Sequence, residues 1–340
     1  MAQKIVAVAG NIIVDSIKTI DAYPDKLELT AIRRVDRALG GLVPNVGIDL
    51  ARLDPTLKVR VVGFAGEDEN GDFVKSEFAR YPSIDTSCLW RKGVTSFTDV
   101  MTVASTGERT FFTYKGADSL LTPETLFKAP IAECNLMHIG YHLLLDGMDE
   151  TDPEYGTAMA RALHDAQQMG VQTSLDVVSE KGGRFQALVP PSLPYVDHFA
   201  VNEYEAAQIT GIQLIENGKL IAKNLPAALE SLRKMGVKRR VVIHTPLLSA
   251  GLDENDRLAV SPALKLPGGW IKGSVGAGDA FTSGLLYETL NGASLEDSMR
   301  AANAVAACSL SAPGSTEGVV TMQEAKKLYD KLPVWDAPEL

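Results

Sequence analysis

The amino-acid sequence predicts an α/β protein in which a mostly parallel central sheet is covered by helices on both faces and carries a small β-sheet lid. Strand-like and helical segments alternate over most of the 340 residues, which favours parallel strands joined by helical connections. Two segments, at about 11–39 and 95–115, break this alternation. A third observation is a glycine-rich turn at 273–281 that leads directly into a helical pattern.

The alternating segments are recognised by the spacing of their apolar residues, which differs between strands and helices. The strand-like segments are 5–9, 60–64, 136–139, 172–176, 198–201 and 239–244, and the helical ones are 45–53, 72–80, 157–169, one from Glu203, and 225–235. Because 45% of the residues are hydrophobic, the chain can bury a large core, and we predict a single domain over residues 1–340.

The two segments that break the alternation are predicted to form an antiparallel β lid. The second is a hairpin that turns at residues 105–107, where Gly107 follows Ser and Thr. Apolar side chains lie on both faces of its strands, at Phe97, Met101, Val103, Phe111 and Phe112. A lid that also packs against a second subunit would cover both faces, so we expect a homodimer formed through the lid.

Composition excludes several classes of protein. Forty-three acidic residues outnumber 33 basic ones, and the net charge is −10. The sequence has no long run of Lys or Arg of the kind that binds nucleic acid. No stretch approaches the about 20 apolar residues of a membrane span, and residues 1–10 lack a signal-peptide pattern and are interpreted as the first strand. Cys88, Cys134 and Cys308 lack the spacing of a disulfide framework or zinc site. These observations predict a cytoplasmic protein with neither nucleic-acid nor membrane partners.

Residues 273–281 (GSVGAGDAF) carry the most specific chemical signal in the chain. Gly276 and Gly278 allow consecutive backbone N–H groups to converge on one point, and the positive end of the following helix adds to their attraction for anions. Asp279 lies in the first helical turn, where its carboxylate can accept a proton from a substrate hydroxyl. Taken alone, the segment fits equally well a tight turn before a helix that favours Asp at its N-terminus.

Together with other motifs, this segment resembles the ribokinase family, also called the PfkB carbohydrate kinases, over residues 5–319. The family's C-terminal signature is Asp-Thr, one variable residue and then Gly-Ala-Gly-Asp, and residues 276–279 match its second half. The resemblance implies a ribokinase-like three-layer fold, with Asp279 as catalytic base and Gly276, Ala277 and Gly278 as an anion hole.

Two segments depart from the family pattern. Gly273 and Ser274 replace the Asp-Thr pair, which in many relatives helps to bind an activating monovalent cation, so the resemblance does not extend to potassium activation. Residues 244–251 (HTPLLSAG) replace a segment that is usually Thr-x-Gly-x-x-Gly and touches the nucleotide.

The N-terminal family signature resembles residues 40–45 (GGLVPN), followed by a helix and by residues 62–71. In the family this loop lines the sugar site together with an early aspartate, here Asp15, so the resemblance implies that Asp15, Gly41 and Asn45 bind the sugar. A carboxylate and an amide suit neighbouring hydroxyls, and glycine lets a ligand approach the backbone. From the residues alone, Asp15 could instead end a strand and Asn45 could cap its helix.

Residues 202–205 (NEYE) resemble the family's Asn-x-x-Glu motif, which implies that Asn202 and Glu205 organise Mg²⁺ and phosphate, Glu205 through water. The same spacing is also a helix-capping pattern. Asn303 matches a family position near the adenine, although an Ala-rich helix packed in the core would have the same sequence pattern.

Other polar residues carry weaker signals. Asp176 ends a predicted strand, where open α/β sheets bind ligands, and Arg184 or Lys181 could reach the γ-phosphate. His138 and His142 have the spacing of a metal pair, but we interpret them as core or crevice-lining residues because no third ligand is evident. The sequence lacks the Gly-x-x-x-x-Gly-Lys-Ser/Thr pattern of P-loop NTPases.

The resemblance implies an ATP- and Mg²⁺-dependent carbohydrate kinase that phosphorylates a hydroxyl of a sugar or sugar-like molecule, with that sugar and ATP as its small-molecule partners. One alternative is a nucleoside kinase of the same fold, for which Phe97, Phe112 and Tyr114 would supply an aromatic stack for the base. Another is a sugar-binding regulator without catalysis. The two altered segments favour the regulator, whereas the retained Asp279 argues against it.

Overall fold

A computed structural model describes residues 3–336, 338 and 340. Met1, Ala2, Ala337 and Glu339, which belong to the predicted domain, lie outside the described residues. The strands are β1 Ile5–Gly10, β2 Ile13–Ile20, β3 Ile32–Gly40, β4 Lys58–Ala65, β5 Ile84–Arg91, β6 Ser96–Val103, β7 Arg109–Tyr114, β8 Leu136–His142, β9 Thr151–Asp152, β10 Gly156–Thr157, β11 Gln172–Val177, β12 His198–Asn202, β13 Ile215–Glu216, β14 Lys219–Leu220, β15 Arg240–His244, β16 Leu248–Leu252 and β17 Leu258–Pro262. The helices are α1 Leu42–Leu53, α2 Glu69–Phe78, α3 Pro123–Leu126, α4 Asp146–Asp149, α5 Ala158–Gln168, α6 Phe185–Leu188, α7 Glu203–Thr210, α8 Leu225–Lys234, α9 Ala277–Leu290, α10 Leu295–Ser309 and α11 Met322–Lys326.

The central sheet has nine strands in the order β17-β16-β15-β12-β11-β8-β1-β4-β5. Pairing is parallel from β15 to β5 and antiparallel where β16 and β17 extend one edge. Alternate residues of β1 enter different cores: Ala7 and Ala9 pack with residues of α5 and α8, and Val6 and Val8 pack with residues of α1 and α2. The predicted mostly parallel sheet with helices on both faces is therefore confirmed.

Helix boundaries follow local capping chemistry. The prediction started α1 at Asn45, but the helix begins at Leu42, because Gly41 takes up the left-handed backbone (φ 85°) that turns the chain into it. Asp68 caps α2 by accepting a hydrogen bond from the N–H of Gly71, so that helix also starts earlier than expected. Among the described residues, no helix is long and apolar enough to cross a membrane.

The lid is a four-stranded sheet in the order β3-β2-β6-β7. The prediction of purely antiparallel pairing was wrong at its centre, where β2 and β6 run parallel and Ile13 pairs with Ser96. Both strands start beside the central sheet and run away from it, so they share a direction. The two outer pairs are antiparallel, as expected.

The register of the lid assigns its side chains to two faces, because residues paired across strands point the same way. Asp15 pairs with Thr98, which pairs with Thr113, so all three lie on one face. Phe97 and Tyr114 pair one position away and lie on the opposite face. Several lid aromatic residues are about half exposed, and lid-mediated dimerisation stays a prediction.

A buried carboxyl group joins the lid to the central sheet. Asp118 accepts a hydrogen bond from the N–H of Ile12 (3.0 Å), while its own N–H donates to the hydroxyl of Ser96 (3.0 Å). Asn11, which with Ile12 connects β1 to β2, accepts a hydrogen bond from the N–H of Tyr141 (2.7 Å). Burial raises the pKa of Asp118 to about 7. The start of both inner lid strands is thereby fixed against the end of β8.

Helix α9 crosses α10 at a glycine, and we expect Gly284→Ala to destabilise this crossing. An added Cβ would lie 2.9 Å from the Cα of Ala302 and 3.0 Å from Cγ2 of Val305, so the free energy of unfolding should fall by about 1–3 kcal/mol. Gly47→Ala in α1 is the control, because its Cβ would meet Val61 at an ordinary 3.5 Å and the helix should gain up to about 1 kcal/mol. Urea unfolding measures both changes, and equal stabilities would contradict the tight crossing.

Candidate active site

Asp279 lies in the first turn of α9, behind a glycine turn. Gly276 has the left-handed conformation (φ 78°), and a Cβ there would lie 2.6 Å from Cβ of Ser315. The chain can therefore turn into α9 only because this residue is glycine. The N–H of Ala277 donates to the carbonyl of Ser274 (3.4 Å), whereas the N–H of Gly278 has no backbone acceptor among the described residues. The turn thus presents the Gly278 N–H and the positive end of the helix dipole.

Three structural elements meet at the carboxylate of Asp279. The hydroxyl of Tyr141, near the end of β8, lies 2.9 Å from both carboxylate oxygens, and the side-chain amide of Asn45 in α1 donates to one of them at 3.0 Å. Burial raises the pKa of Asp279 to about 6, although both hydrogen bonds oppose the increase. The carboxylate is thus held in one position, and its pKa lies close to neutral pH.

A cavity of about 180 Å³ opens beside Asp279 at the carboxyl ends of the parallel strands. Its wall includes Asp176 and Glu205, and burial raises the pKa of both, to about 7 for Glu205 and well above the usual value for Asp176. Repulsion from Asp279 adds to both increases. Oxygen-rich walls suit Mg²⁺, but among the described residues no three His, Cys, Asp or Glu side chains are arranged to ligate a metal directly.

Asn202 and Glu205 form the capping box that their spacing predicted. The side chain of Asn202 accepts from the N–H of Glu205 (2.8 Å), and Glu205 accepts from the N–H of Asn202 (3.1 Å). The second oxygen of Glu205 accepts from the hydroxyl of Ser179 (2.7 Å). Both residues also line the small cavity, so capping and ligand binding are compatible here, and their part in Mg²⁺ binding stays a prediction.

A second, larger cavity of about 570 Å³ adjoins the small one, and Asn202, His244 and Gly278 line both. Its wall is mostly apolar and includes Ala263, Leu264, Leu266, Ile271, Phe281, Ala306, Ala307, Leu310 and Trp335. Asn303 lines it too, but its amide N–H groups donate to Ser249 (3.1 Å) and to the carbonyl of Ser261 (3.2 Å). An elongated ligand can therefore reach from the apolar cavity to the first turn of α9.

None of the predicted sugar residues lines either of the two cavities. Gly41 occupies the cap position of α1, which corrects the alternative that Asn45 caps this helix, and Asn45 contacts Asp279 instead. Asp15 lies inside β2 rather than at its end, and its carboxylate packs so close to Gly40 that a Cβ there would lie 2.6 Å from it. Burial raises the pKa of Asp15 to about 6, and the charge of Arg109 opposes this. Among the described residues no hydrogen bond joins Asp15 to Asp279.

The residues suggested for the γ-phosphate occupy other positions. The guanidinium of Arg184 binds the carboxylates of Glu180 (3.0 Å) and Asp149 (3.2 Å), Lys181 is exposed, and neither lines the two cavities.

The two spaced histidines have separate partners. His138 contacts the hydroxyl of Ser174 (2.9 Å), whereas His142 lies between Asp149 (2.9 Å) and the carbonyl of Leu188 (2.8 Å).

Three residues of the site were missed by the sequence interpretation. Tyr141 and His244 lie at the carboxyl ends of β8 and β15, a position that signals ligand contact once the strands are known. The ring of His244 stacks on Phe281 with centroids 4.6 Å apart, and burial lowers its pKa to about 4. Asp49 is fully buried one helical turn after Asn45, and its acidic side chain within an apolar helix was the available signal.

Comparisons with known proteins identify the family and the fold of the chain. The model of the pfkB family of carbohydrate kinases matches residues 6–322. The chain belongs to this family. A ribokinase of Staphylococcus aureus (strain COL) is 27% identical over 218 residues, 63% of this chain and 65% of that protein's length. An uncharacterised sugar kinase of Archaeoglobus fulgidus is 23% identical over 269 residues, 77% of this chain and 95% of that protein.

Solved structures of PfkB relatives share the fold. The Thermotoga maritima ribokinase superposes with a TM-score of 0.76 at 17% identity, covering 96% of this chain and 99% of its own. The Cryptococcus neoformans ribokinase in complex with ADP gives 0.77 at 16%, covering 96% and 100%. The Arabidopsis thaliana ribokinase with ribose and ATP gives 0.75 at 20%, covering 96% and 99%. The ribokinase-like fold predicted from sequence is confirmed, and the PfkB match makes the chain a carbohydrate kinase by family.

The buried Asp49 is expected to destabilise this PfkB protein at neutral pH. Neither carboxyl oxygen has a hydrogen-bond partner among the described residues, and burial followed by repulsion from Asp279 raises its pKa well above the usual 3.8. Above pH 3.8 the Asp49 side chain of the unfolded chain loses its proton, whereas the folded protein retains it. The free energy of unfolding therefore falls as pH rises. Asp49→Asn should therefore raise the free energy of unfolding at pH 8 by on the order of 1–3 kcal/mol, and by less at pH 4.

Asp54, just after the same helix, is the contrasting control. Its pKa is lowered, because hydrogen bonds from Thr56 and Tyr287 outweigh partial burial. Asp54→Asn should remove stability that is present at neutral pH and is lost as pH falls. Denaturant unfolding at several pH values measures both variants, and an Asp49→Asn protein less stable than the parent at pH 8 would contradict the prediction.

Proposed function

We propose that this PfkB family member transfers the γ-phosphoryl group of ATP to a hydroxyl of a sugar or sugar-like molecule. The observation that carries the proposal is the buried Asp279 carboxylate, with a pKa of about 6, in the first turn of a helix where the two cavities adjoin. A base and an anion-binding helix end in one turn are the two groups that phosphoryl transfer to an alcohol requires.

Asp279 acts as the general base. At pH 7 most of the protein carries the ionised form, and the acceptor hydroxyl gives its proton to this carboxylate as its oxygen attacks the γ-phosphorus. Tyr141 and Asn45 hold the carboxylate by hydrogen bonds from β8 and α1, so little reorganisation is needed during the step.

The first turn of α9 neutralises the charge that grows on the transferring phosphoryl group. The N–H groups of Gly276 and Gly278 have no backbone acceptor among the described residues, and that of Ala277 has only the long contact to Ser274 (3.4 Å) to exchange for a phosphate oxygen. The helix dipole points its positive end at the same place. Glu205, through water, and Asn202 would hold Mg²⁺ here, and the ion would supply additional positive charge to the phosphates. Gly273 and Ser274 offer no carboxylate for a monovalent cation, so potassium dependence is not proposed.

The two substrates occupy opposite sides of Asp279 in this proposal. The nucleotide lies in the 570 Å³ cavity with Asn303 in its wall, and its phosphates point toward the shared residues. The sugar lies beneath the lid face that carries Asp15, near Gly41 and Asn45. Closure of the lid over the sugar would exclude water and suppress ATP hydrolysis.

The lid residues suggested for stacking a nucleoside base lie on the face opposite Asp15. Phe97 and Tyr114 pack against each other with ring centroids 5.4 Å apart, and the register places them on the face opposite Asp15. Phe112 pairs with Asp99 and lies on that same opposite face. These three aromatic residues are therefore turned away from the proposed acceptor site, whereas Phe111, which pairs with Val100, lies on the Asp15 face.

The proposal predicts ADP formation that depends on one acceptor class and on Asp279. Mg-ATP turnover should rise with one member of a panel of pentoses, hexoses, keto-sugar acids, inositols and nucleosides. Asp279→Asn should lower that turnover by about two to four orders of magnitude while sugar binding persists, because only proton removal is lost.

Asp297→Asn is the matched control, since Asp297 is the third residue of α10 as Asp279 is of α9. It should keep near-parental turnover. Acceptor binding without any ADP formation would favour the non-catalytic regulator, and near-normal turnover of Asp279→Asn would remove the base assignment.

The pH profile of kcat/KM should report the same carboxylate. Activity should fall as pH drops below about 6, because protonated Asp279 cannot accept the acceptor's proton. The hydrogen bond from Tyr141 lowers the pKa of Asp279, so Tyr141→Phe should move the acidic limb to higher pH. A limb that stays in place in the variant, or moves to lower pH, would contradict the role of this contact.

A further inference from the structure

The C-terminal strap, residues 332–336, forms part of the large cavity although the family match ends at residue 322. Trp335 lines the 570 Å³ cavity but not the smaller one beside Asp279. Its place is therefore away from the phosphate end, in the apolar part of the larger cavity. Family membership alone does not supply this residue, because the chain beyond 322 lies outside the matched region.

Backbone pairing fixes the strap. The N–H of Trp335 donates to the carbonyl of Ala263 (2.9 Å), and the N–H of Lys265 donates to the carbonyl of Pro333 (2.8 Å). Between them, Leu264 and Val334 form an antiparallel bridge. Residues 263–265 follow β17, at the edge of the central sheet, so the strap is attached to the rigid part of the fold.

The position of the indole is also fixed by a charge. The ammonium group of Lys265 lies 5.0 Å from the ring centroid of Trp335, which is a cation–π distance. Upstream, the hydroxyl of Tyr329 donates to the carbonyl of Pro262 (3.1 Å), and Arg300 lies over the Tyr329 ring. The Trp335 side chain is thus held in the cavity wall. The contacts of Tyr329 fix the segment that leads into the strap.

The chemistry of this cavity suits a flat aromatic ligand. Leu264, Ile271 and Leu310 share the wall with Trp335, and the N–H groups of Asn303 are already bound to Ser249 and the carbonyl of Ser261. The part of the wall around Trp335 therefore offers stacking and apolar contact rather than hydrogen bonds from the Asn303 N–H groups. Stacking tolerates different bases, because every base has a π-face.

We propose that Trp335 packs against the base of the phosphoryl-donor nucleotide and that the C-terminal strap is a component of the nucleotide site. This inference rests on the proposed kinase function. Its consequence is that the strap sets nucleotide affinity with little selectivity between adenine and guanine, while the sugar side and the base Asp279 are unaffected.

Kinetics and binding test the strap. Trp335→Ala should raise KM for both ATP and GTP by about ten-fold, as expected for the loss of one stacking partner, and leave the sugar KM and kcat at saturating nucleotide within about two-fold. Trp335→Phe should restore most of the affinity. An unchanged nucleotide KM in Trp335→Ala, or an equal rise in the sugar KM, would overturn the inference.

Tryptophan fluorescence during titration with Mg-ADP, without acceptor, provides a readout independent of turnover. Trp270 donates its indole N–H to the carbonyl of Ala307 in the cavity wall, so the titration uses the Trp270→Phe background. There the emission change on binding should persist when Trp90→Phe is added, because Trp90 lies in β5 at the far edge of the sheet, and should be largely lost when Trp335→Phe is added. If the Trp335→Phe protein binds Mg-ADP with an undiminished emission change, the role of Trp335 is overturned but the kinase proposal is not. Absence of Mg-ADP binding by the parent protein in calorimetry would instead overturn the kinase proposal together with this inference.

Discussion

The burial of the Asp279 carboxylate is the constraint on which the site depends. An ionised carboxylate that leaves water loses a large hydration energy, and it remains useful as a base only if nearby donors replace part of that hydration. Tyr141 and Asn45 provide those donors from two different elements, and the free N–H groups of α9 lie in the same turn. The sheet, α1 and α9 must therefore be correctly packed before the carboxylate has a defined proton affinity. This requirement connects the apolar cores on the two faces of the sheet to the chemistry at its edge.

The acid-rich cavity carries a second constraint. Asp176, Glu205 and Asp279 line this cavity, and Asp49 is buried outside its wall. Burial raises the pKa of all four carboxyl groups, and repulsion from Asp279 adds to the increase at the other three. Such a cluster is unfavourable in the unliganded protein, and positive charge brought by a metal ion with nucleotide would relieve it. Binding of a positively charged ligand therefore stabilises this site more than it would stabilise a neutral cavity.

Much of this arrangement could be predicted from the sequence, because its signals are local. Residues 276–279 predicted the turn and the helix start, and Asn202 with Glu205 predicted a capping box that the structure contains. Local patterns could not give what depends on distant pairing. Tyr141 belongs to the site only because β8 lies beside β1, and the parallel pairing of the two inner lid strands follows from where both leave the central sheet. Trp335 was likewise invisible, since nothing near it in sequence indicates a cavity.

The parallel pairing at the centre of the lid also determines when the lid can form. Strand β2 has its antiparallel partner β3 close by in sequence, but its other edge needs β6, which follows only after α1, β4, α2 and β5. Contacts between distant segments form late in folding, because the chain between them must first be ordered. During synthesis from the N-terminus, β2 and β3 therefore emerge as an isolated hairpin in which the edge of β2 that later pairs with β6 is unpaired and apolar residues are exposed. That hairpin is the segment of the nascent chain most in need of protection from association until β6 arrives.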